Sequence, residues 1–163
     1  MTSCTMIGIG ELAAGKQPGL ELRTMALGSC IAIIMLDPVQ KAVGMVHIAL
    51  PDSSIDRLKA MSQPGYFADT GIPSLLMKMA EHGCDSRGKG FIIKLIGGAN
   101  TLDAAGVFNI GKRNLLSVRK ILYQMKLTAV AEDVGGEISR TVRVFQDTGK
   151  IHINSPRLGT WEI

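Results

Sequence analysis

The chain has 163 residues, which is long enough to bury most of its surface around one core, so we expect a single domain over residues 1–163. Hydrophobic residues make up 46%, yet no apolar run approaches the ~20 residues of a membrane-spanning helix, so we expect a soluble protein that is not membrane-embedded. The net charge of +4 comes from dispersed Lys and Arg, and with only 4% aromatic residues it does not indicate nucleic-acid binding.

The first part of the chain is predicted to consist mostly of β-strands. Short apolar runs bounded by glycine or proline predict four strands, at residues 6–12, 20–25, 31–36 and 42–50. The last two are joined by Asp37-Pro38 and are predicted to pair as an antiparallel hairpin. Residues 51–70 are polar, contain Gly and Pro and show no clear period, which predicts a long loop.

Two helices and four further strands are predicted after this loop. Helical spacing of apolar residues predicts the helices, at residues 72–82 and 112–126. The strands are predicted at residues 91–96, 127–133, 141–146 and 150–153. Together these elements predict an α+β fold, in which two main helices pack against a mostly antiparallel β core.

The N-terminus and the cysteines bear on the compartment. Residues 1–6 lack a basic region followed by an apolar core, so we see no secretion signal and expect a cytoplasmic protein. In that compartment Cys4, Cys30 and Cys84 stay reduced, and they lack the paired spacing of a zinc site or a redox dithiol. We therefore expect no disulfide framework, no metal and no cofactor.

Cys30 is the most informative residue for function. It lies where the turn containing Gly28 and Ser29 meets a buried strand, and His47 lies on the strand predicted to pair with that one. A thiol beside an imidazole is how a fold builds a nucleophile and its base. Buried free cysteines are common, however, so the residues alone favour an inert core thiol.

The remaining motifs indicate no other chemistry. Residues 97–100, Gly-Gly-Ala-Asn, match neither phosphate-binding glycine pattern, so we expect a tight turn with a close backbone approach. Ser29 lacks the second glycine of a nucleophile elbow, which argues against a serine hydrolase. His82 and His152 lie in no metal-ligand cluster, so we interpret them as a helix-end residue and a strand residue.

A set of short motifs follows a fixed order from about residue 7 to residue 153. Its members are Thr24, Leu27-Gly28-Ser29-Cys30, Asp37, Gly44, His47, Leu50-Pro51, Gly97-Gly98-Ala99, Ile110-Gly111, Arg113-Asn114, Asp133-Val134-Gly135-Gly136, Arg140 and Thr148-Gly149. Each piece alone is weak, but the ordered set is specific. In this order the chain resembles the CheD family of chemoreceptor glutamine deamidases.

The resemblance implies a layered α/β/β sandwich and a Cys-His-Thr catalytic triad, which carries over onto Cys30, His47 and Thr24. His47 would help to generate the thiolate and protonate the leaving ammonia, while Thr24 would orient the imidazole. The oxyanion is expected to meet backbone N–H groups near Ser29 and Cys30, where Gly28 allows an exposed turn. The implied substrates are glutamine side chains on the cytoplasmic helices of chemoreceptors, converted to glutamate with release of ammonia.

The resemblance also implies a partner, a CheC-type phosphatase whose activity the family enhances.

Two departures from the family pattern bear on these expectations. Ala26 stands where the pattern often has glycine, and Thr101-Leu102 stands where Met or an aromatic residue often follows residues 97–100. The first does not touch the expected chemistry, and the second bears on phosphatase docking.

Two alternatives to the deamidase remain open at this point. The chain could be a weakly catalytic or non-catalytic module that binds and regulates a chemotaxis phosphatase. It could also be a single-cysteine redox sensor, in which a low-pKa Cys30 thiol is oxidised rather than acylated. The sequence fixes neither the oligomeric state nor the receptors and glutamines that would be modified.

Overall fold

The computed structural model describes residues 1–101 and 106–163. The described strands are β1 (Ser3–Met6), β2 (Leu12–Gly15), β3 (Leu20–Leu27), β4 (Ile31–Asp37), β5 (Ala42–Ile48), β6 (Ile92–Gly97), β7 (Ala129–Val134), β8 (Arg140–Phe145), β9 (Ile151–Ser155) and β10 (Gly159–Glu162). The described helices are α1 (Arg57–Ser62), α2 (Ala68–Ala80) and α3 (Ile110–Gln124), with 3₁₀ turns at Ser53–Ile55 and Pro64–Tyr66.

The strands form two five-stranded sheets. We call the sheet with strand order β2-β5-β4-β6-β7 the central sheet, and the one with order β1-β3-β8-β9-β10 the outer sheet. One pair in each sheet is parallel, β6 with β7 and β1 with β3, and the other described pairs are antiparallel. The prediction of a mostly antiparallel β core is confirmed.

The hairpin of β4 and β5 lies at the centre of the molecule. Every residue of both strands is buried, because helices cover one face of the central sheet and the outer sheet covers the other. The predicted hairpin is confirmed, with Ile31 opposite Ile48 at one end and Asp37 opposite Ala42 at the turn. A continuous apolar run is typical of a strand that is covered on both sides.

Two apolar layers hold the molecule together. In one, α2 and α3 pack on the central sheet, with Ile72, Leu75 and Val118 among the fully buried side chains. In the other, residues such as Leu22 and Met45 fill the space between the two sheets. This is the α/β/β arrangement that the resemblance implies. No helix in the described ranges is long and apolar enough to cross a membrane.

The strand predicted at residues 6–12 is wrong. Residues 7–11 connect β1 to β2, and the connection includes Gly10 at φ +77°, a conformation that interrupts a strand. The strand that precedes it, β1, is a short and mostly exposed edge strand, so its residues show no apolar alternation. The connection nevertheless lies beside His47, since the His47 N–H donates to Glu11 O and the Gly10 N–H donates to His47 O.

The long loop predicted at residues 51–70 is also wrong in part. It contains α1 and both 3₁₀ turns, and the side chains of Asp52 and Asp56 cap the first turn and α1 by accepting backbone N–H bonds. Helix α2 starts at Ala68 rather than residue 72, with Pro73 inside it. Helix α3 begins two residues earlier and ends two residues earlier than predicted, and β10 was not predicted.

Ala26 adopts a left-handed backbone conformation that favours glycine. Its φ is +53°, at the irregularity where the pairing of β3 with β8 shifts between Thr24 and Leu27. A side chain costs about 1–2 kcal/mol in this region, which is offset in part by the greater flexibility of glycine in the unfolded chain. Ala26→Gly is therefore expected to raise the free energy of unfolding by about 0.5–1 kcal/mol in urea titrations.

A matched glycine substitution in a regular strand distinguishes relief of backbone strain at Ala26 from a general tolerance of glycine by this protein. Ala131 lies in β7 and is not among the residues with positive φ, so Ala131→Gly is expected to lower the free energy of unfolding. Equal destabilisation by both substitutions would contradict the assignment of backbone strain to Ala26.

Candidate active site

Cys30 lies at the start of β4, on the wall of an open groove. The groove has a volume of ≈ 590 Å³, and Cys30 lines it together with Gly28, Ser29, Asn100 and Phe108 among others. The Cys30 side chain is half-buried, and its inner side packs against the apolar layer between the two sheets. The thiol is therefore neither sealed in the core nor fully exposed.

The strand register brings Cys30 and His47 to the same face of the central sheet. His47 lies directly opposite Ala32 on the neighbouring strand, so these two side chains share a face. Cys30 precedes Ala32 by two residues and therefore projects to that face as well. Diagonal neighbours of this kind have Cβ atoms about 7 Å apart or less, which lets a thiol and an imidazole meet after side-chain rotation.

Thr24 connects the imidazole to the outer sheet. Thr24 Oγ1 lies 2.7 Å from His47 Nδ1 and donates its proton to Ile7 O, also at 2.7 Å. Because a hydroxyl has a single proton, Thr24 can only accept from His47, so Nδ1 carries the imidazole hydrogen. His47 Nε2 is then left with its lone pair, the form that a general base needs.

The protein interior keeps His47 neutral. The residue is 3% exposed, and burial lowers the pKa of its imidazole to about 4. Opposing influences come from the Ile7 backbone and from the Glu11 carboxylate, and they are smaller. Nε2 is buried and accepts no hydrogen bond from any residue in the described ranges, Cys30 included.

The Cys30 thiol is also neutral in the resting protein. Burial raises the pKa of Cys30 above its ordinary value, and a hydrogen bond from its own backbone N–H offsets this only in part. The directions of both pKa shifts therefore disfavour a preformed thiolate–imidazolium pair. A thiolate can form only as a proton moves from sulfur to Nε2, so its formation has to accompany attack on a substrate.

The backbone around Cys30 is held by residues 97–99. Gly98 N–H donates to Cys30 O and Ala99 N–H donates to Gly28 O, both at 2.8 Å. Gly97 has φ +116°, and a Cβ there would lie 2.2 Å from Cys30 O. The expected close backbone approach is confirmed, and only glycine fits at residue 97, but residues 98–100 do not form the expected tight turn.

Gly28 keeps the mouth of the groove open. A Cβ at this position would lie 2.8 Å from Thr101 Oγ1, so a side chain would force Thr101 away. Thr101 and Leu102 stand where the family pattern often has Met or an aromatic residue. Of these two, Leu102 lies outside the described residues.

Asn114 is a buried polar residue of the site region that the motif alone did not explain. It lies on α3, is 0% exposed, and donates from Nδ2 to Ser29 O and to Ala49 O, each at 2.9 Å. The sequence signal that could have identified it is its position four residues before Val118, a fully buried residue on the same face of α3. A polar side chain on the apolar face of a helix needs a partner in the core.

The two sheets are also joined beside the groove by a partly buried ion pair. Arg140 Nε on β8 donates to Asp133 Oδ1 on β7 at 2.8 Å, and Trp161 Nε1 donates to the other Asp133 oxygen at 2.7 Å. Asn100, on the groove wall, donates its N–H to Gly136 O in the same neighbourhood. These contacts give the Asp133 and Arg140 motif positions a structural role.

The other predicted positions lie away from the groove. His82 lies in the turn just beyond the Glu81 C-cap of α2, and His152 lies on β9 as predicted. Cys4 is exposed, whereas Cys84 is buried, and the nearby Asp37 at the far end of the β4–β5 hairpin helps burial to raise the pKa of the Cys84 thiol. Within residues 1–101 and 106–163, no group of three His, Cys, Asp or Glu residues could hold a metal ion.

Comparison with known proteins gives consistent results over nearly the whole chain. The family profile described as "CheD chemotactic sensory transduction" matches residues 49–155. The "Probable chemoreceptor glutamine deamidase CheD" of Syntrophotalea carbinolica is 47% identical over 158 residues, covering 97% of this chain and 98% of the relative. The "Probable chemoreceptor glutamine deamidase CheD 2" of Anaeromyxobacter dehalogenans is 42% identical, covering 94% and 95%.

Among solved structures, the chain is similar to the Bacillus licheniformis hypothetical protein YfiH, with a TM-score of 0.44 and 11% identity over 76% of this chain and 49% of that one. The profile match begins after Cys30 and His47, but the matches to the two relatives span almost the full length and so extend over both residues. On the strength of the profile and of these identities, the chain belongs to the CheD family.

Proposed function

We propose that this chain is a protein-glutamine deamidase that converts glutamine side chains of chemoreceptors to glutamate and releases ammonia. The names of its relatives support the substrate class. The observation that carries the proposal is the hydrogen bond between Thr24 and His47 Nδ1, which leaves Nε2 as a free base on the face that also bears Cys30. That arrangement matches the needs of a thiol amidase.

In the first step, Cys30 attacks the carboxamide carbon. The neutral His47 accepts the thiol proton at Nε2 as the carbon–sulfur bond forms and the carbonyl π electrons move to oxygen. The resulting oxyanion receives hydrogen bonds from backbone N–H groups near Ser29 and Cys30, with Gly28 leaving space for it. One such donor typically contributes ~2.7–4 kcal/mol to transition-state stabilisation.

In the second step, the imidazolium of His47 donates the same proton to the departing nitrogen. The carbon–nitrogen bond breaks, ammonia leaves, and a thioester to Cys30 remains. Burial favours this transfer, because an imidazolium whose pKa is about 4 is a strong proton donor. Water, deprotonated by His47, then attacks the thioester and yields glutamate and the free thiol.

The half-buried thiol counts against the redox-sensor alternative. A redox-sensing cysteine is typically a low-pKa, accessible thiol, whereas burial raises the pKa of Cys30. The groove and the neutral base on the same sheet face instead fit a nucleophile that is activated only when a substrate is bound.

Two further parts of the proposal rest on the family alone. We place the protein in the cytoplasm, where free thiols stay reduced, and we assign it a CheC-type phosphatase as a regulatory partner. An affinity measurement between this chain and a CheC-type phosphatase of the same organism tests the partner. A complex with micromolar or tighter affinity is expected, and absence of binding would remove this part of the proposal.

The direct test of the activity is mass spectrometry of a chemoreceptor cytoplasmic fragment incubated with the protein. Conversion of an amide to an acid adds roughly one dalton, an increment set by the reaction class. Site-specific gains at particular glutamines are expected with the native chain. An unchanged fragment, across several receptors of the same organism, would contradict the deamidase and favour the binding-module alternative.

Removal of the Thr24 hydroxyl tests the orientation of the base. Thr24→Val keeps the side-chain shape but removes the oxygen that accepts from the His47 Nδ1–H, so the imidazole can turn or change tautomer. We expect kcat to fall roughly 10- to 100-fold, less than for loss of His47 itself. Thr24→Ser retains the hydroxyl and is expected to stay within a few-fold of the native kcat. Equal activity of both variants would contradict the orienting role.

The pH dependence of kcat/KM tests the neutral state of His47. Activity requires unprotonated Nε2, so the acid limb of the profile is expected near the His47 pKa of about 4. Because the pKa of Cys30 is raised, ionisation of this thiol adds no limb to the pH profile below the ordinary pKa range of a thiol. The profile should therefore be flat around neutrality. A midpoint near the ordinary histidine value of about 6.5 would contradict a buried neutral base.

Unfolding measured at the same pH values separates catalysis from stability. Because the His47 pKa is lower in the folded than in the unfolded chain, unfolded protein binds the proton first as the pH falls. The contribution of His47 is fully present above about pH 6.5 and is lost progressively towards pH 4, by about 3 kcal/mol in all. Activity should be compared only where unfolding curves show that the protein is still folded.

A further inference from the structure

Asn114 ties the nucleophile to the strand that bears the base. Its Nδ2 group has two protons, and each is donated at 2.9 Å, one to the carbonyl directly before Cys30 and one to the carbonyl two residues after His47. These carbonyls belong to Ser29 and Ala49. A single side chain from α3 therefore contacts both halves of the proposed catalytic pair through their backbones.

The two carbonyls lie just beyond the end of the strand ladder. The last pair joining β4 to β5 is Ile31 with Ile48, so Ser29 and Ala49 have left the regular pairing. Strand ends without cross-strand bonds tend to separate, and buried carbonyls without donors are costly. Asn114 supplies both missing donors, which holds the two chain ends at a fixed spacing where the chemistry takes place.

The hydrogen bond to Ser29 also sets the direction of the Cys30 N–H. A trans peptide unit is planar, and its C=O and N–H point in opposite directions. With Ser29 O turned towards Asn114, the Cys30 N–H points away from α3, and it lies beside its own sulfur. That is where a donor must lie to meet the oxyanion that forms when the sulfur attacks.

The other polar atom of the side chain, its amide oxygen, argues against a purely structural role. Asn114 Oδ1 is buried and has no hydrogen-bonding partner in the described part of the chain. An unpaired buried acceptor lowers stability, so the amide is held in the core at a cost. Its two donated bonds are the only described polar contacts of this side chain, and both go to the catalytic segments.

We propose that Asn114 is a positioning residue for deamidation, which sets the spacing of Cys30 and His47 and aims the Cys30 N–H at the oxyanion. The proposal rests on the proposed function and adds a residue to it. Asn114 does not touch the reacting atoms, so its loss should lower the rate of the chemical steps and leave substrate binding almost unchanged.

Ser117 provides a matched control on the same helix. It lies one turn further along α3 and donates from Oγ to Pro51 O at 2.8 Å, a helix-to-backbone bond that does not involve the Ser29 or Ala49 carbonyl. Asn114→Ala is expected to lower kcat about 30- to 100-fold with KM within two-fold, because misplacement by about 1 Å can cost 10²-fold. Ser117→Ala is expected to stay within two-fold of native in both. Asn114→Ser, which keeps one donor proton, should fall between.

Alkylation of Cys30 by iodoacetamide supplies a readout that does not depend on deamidation. Its rate against pH reports how readily the thiol gives its proton to His47, and Asn114→Ala should shift this profile while Ser117→Ala should not. If the native chain fails to deamidate, the proposed function fails, but the alkylation profiles still decide the role of Asn114. The inference is overturned if Asn114→Ala and Ser117→Ala agree in kcat and in alkylation profile. If Asn114→Ala does not fold, Asn114→Ser is judged by the same two criteria.

Discussion

Cys30→Ala is expected to reduce deamidation of a chemoreceptor fragment by ~10³-fold or more, to the level of the fragment alone. The substitution removes the sulfur atom that, in the proposed mechanism, forms the bond to the substrate. Cys30 is half-buried at the edge of the inter-sheet layer, so the loss of one sulfur should leave the fold intact. The measurement is the rate of mass gain in the fragment, with urea unfolding curves to establish folding.

Cys4→Ala is the matched control for the nucleophile. Cys4 is an exposed thiol on β1, its sulfur near Glu21, and it takes no part in the groove. This variant should retain native activity. Activity of Cys30→Ala within ten-fold of native would mean that the sulfur is not the nucleophile, and the deamidase would need another residue for that role.

His47→Gln is expected to produce the second largest loss, roughly 10²- to 10⁴-fold in kcat. The amide can still contact Thr24, but it provides no base to accept the thiol proton and no acid to protonate ammonia. Because the free thiol has a raised pKa, very little thiolate is present near pH 7 without the imidazole. Residual activity should increase with pH, as the thiol ionises without help.

His152→Gln is the control for the general base. His152 is a partly exposed histidine on β9 of the outer sheet, outside the groove, so its replacement should leave kcat within two-fold of native. If His47→Gln retained native kcat and a native pH profile, the proton transfers assigned to Nε2 would be wrong. An intermediate trapped on Cys30 would then require a different proton acceptor.

The central hairpin was predictable because its signal is strong, whereas the α/β/β layer order came from the family resemblance. The residues of β4 form one uninterrupted apolar run, which is what a strand buried on both faces requires. The proximity of Cys30 and His47 followed from that hairpin, because antiparallel pairing brings the two strand ends together. The role of Thr24, in contrast, came only from the family resemblance, because its contact with His47 joins different sheets.

The elements that were missed have weak local signals. Strands β1 and β10 are short edge strands whose side chains are largely exposed, so they show little apolar alternation. Helix α1 has no buried residue, and only its aspartate caps marked it. The connection between β1 and β2 has tertiary partners, since Ile7 O receives the Thr24 hydroxyl proton, and no local pattern specifies such a contact.

Asn114 shows why part of a site stays hidden from sequence reasoning. A polar residue on an apolar helix face indicates a buried hydrogen bond, but not its partners. The partners here are two backbone carbonyls, 85 and 65 residues away in the chain, and backbone groups carry no sequence signature. Only the packing of α3 against the ends of β4 and β5 brings them together.

The most direct measurement is a peptide map of the protein after rapid acid quench with a glutamine-containing receptor fragment. A thioester that joins the fragment to Cys30 should appear before glutamate accumulates and should be absent in Cys30→Ala. It should also disappear when hydroxylamine is added, because this nucleophile cleaves thioesters. Glutamate formation at the native rate with no adduct on Cys30 at any time, and with Cys30→Ala equally active, would contradict thiol catalysis by this chain.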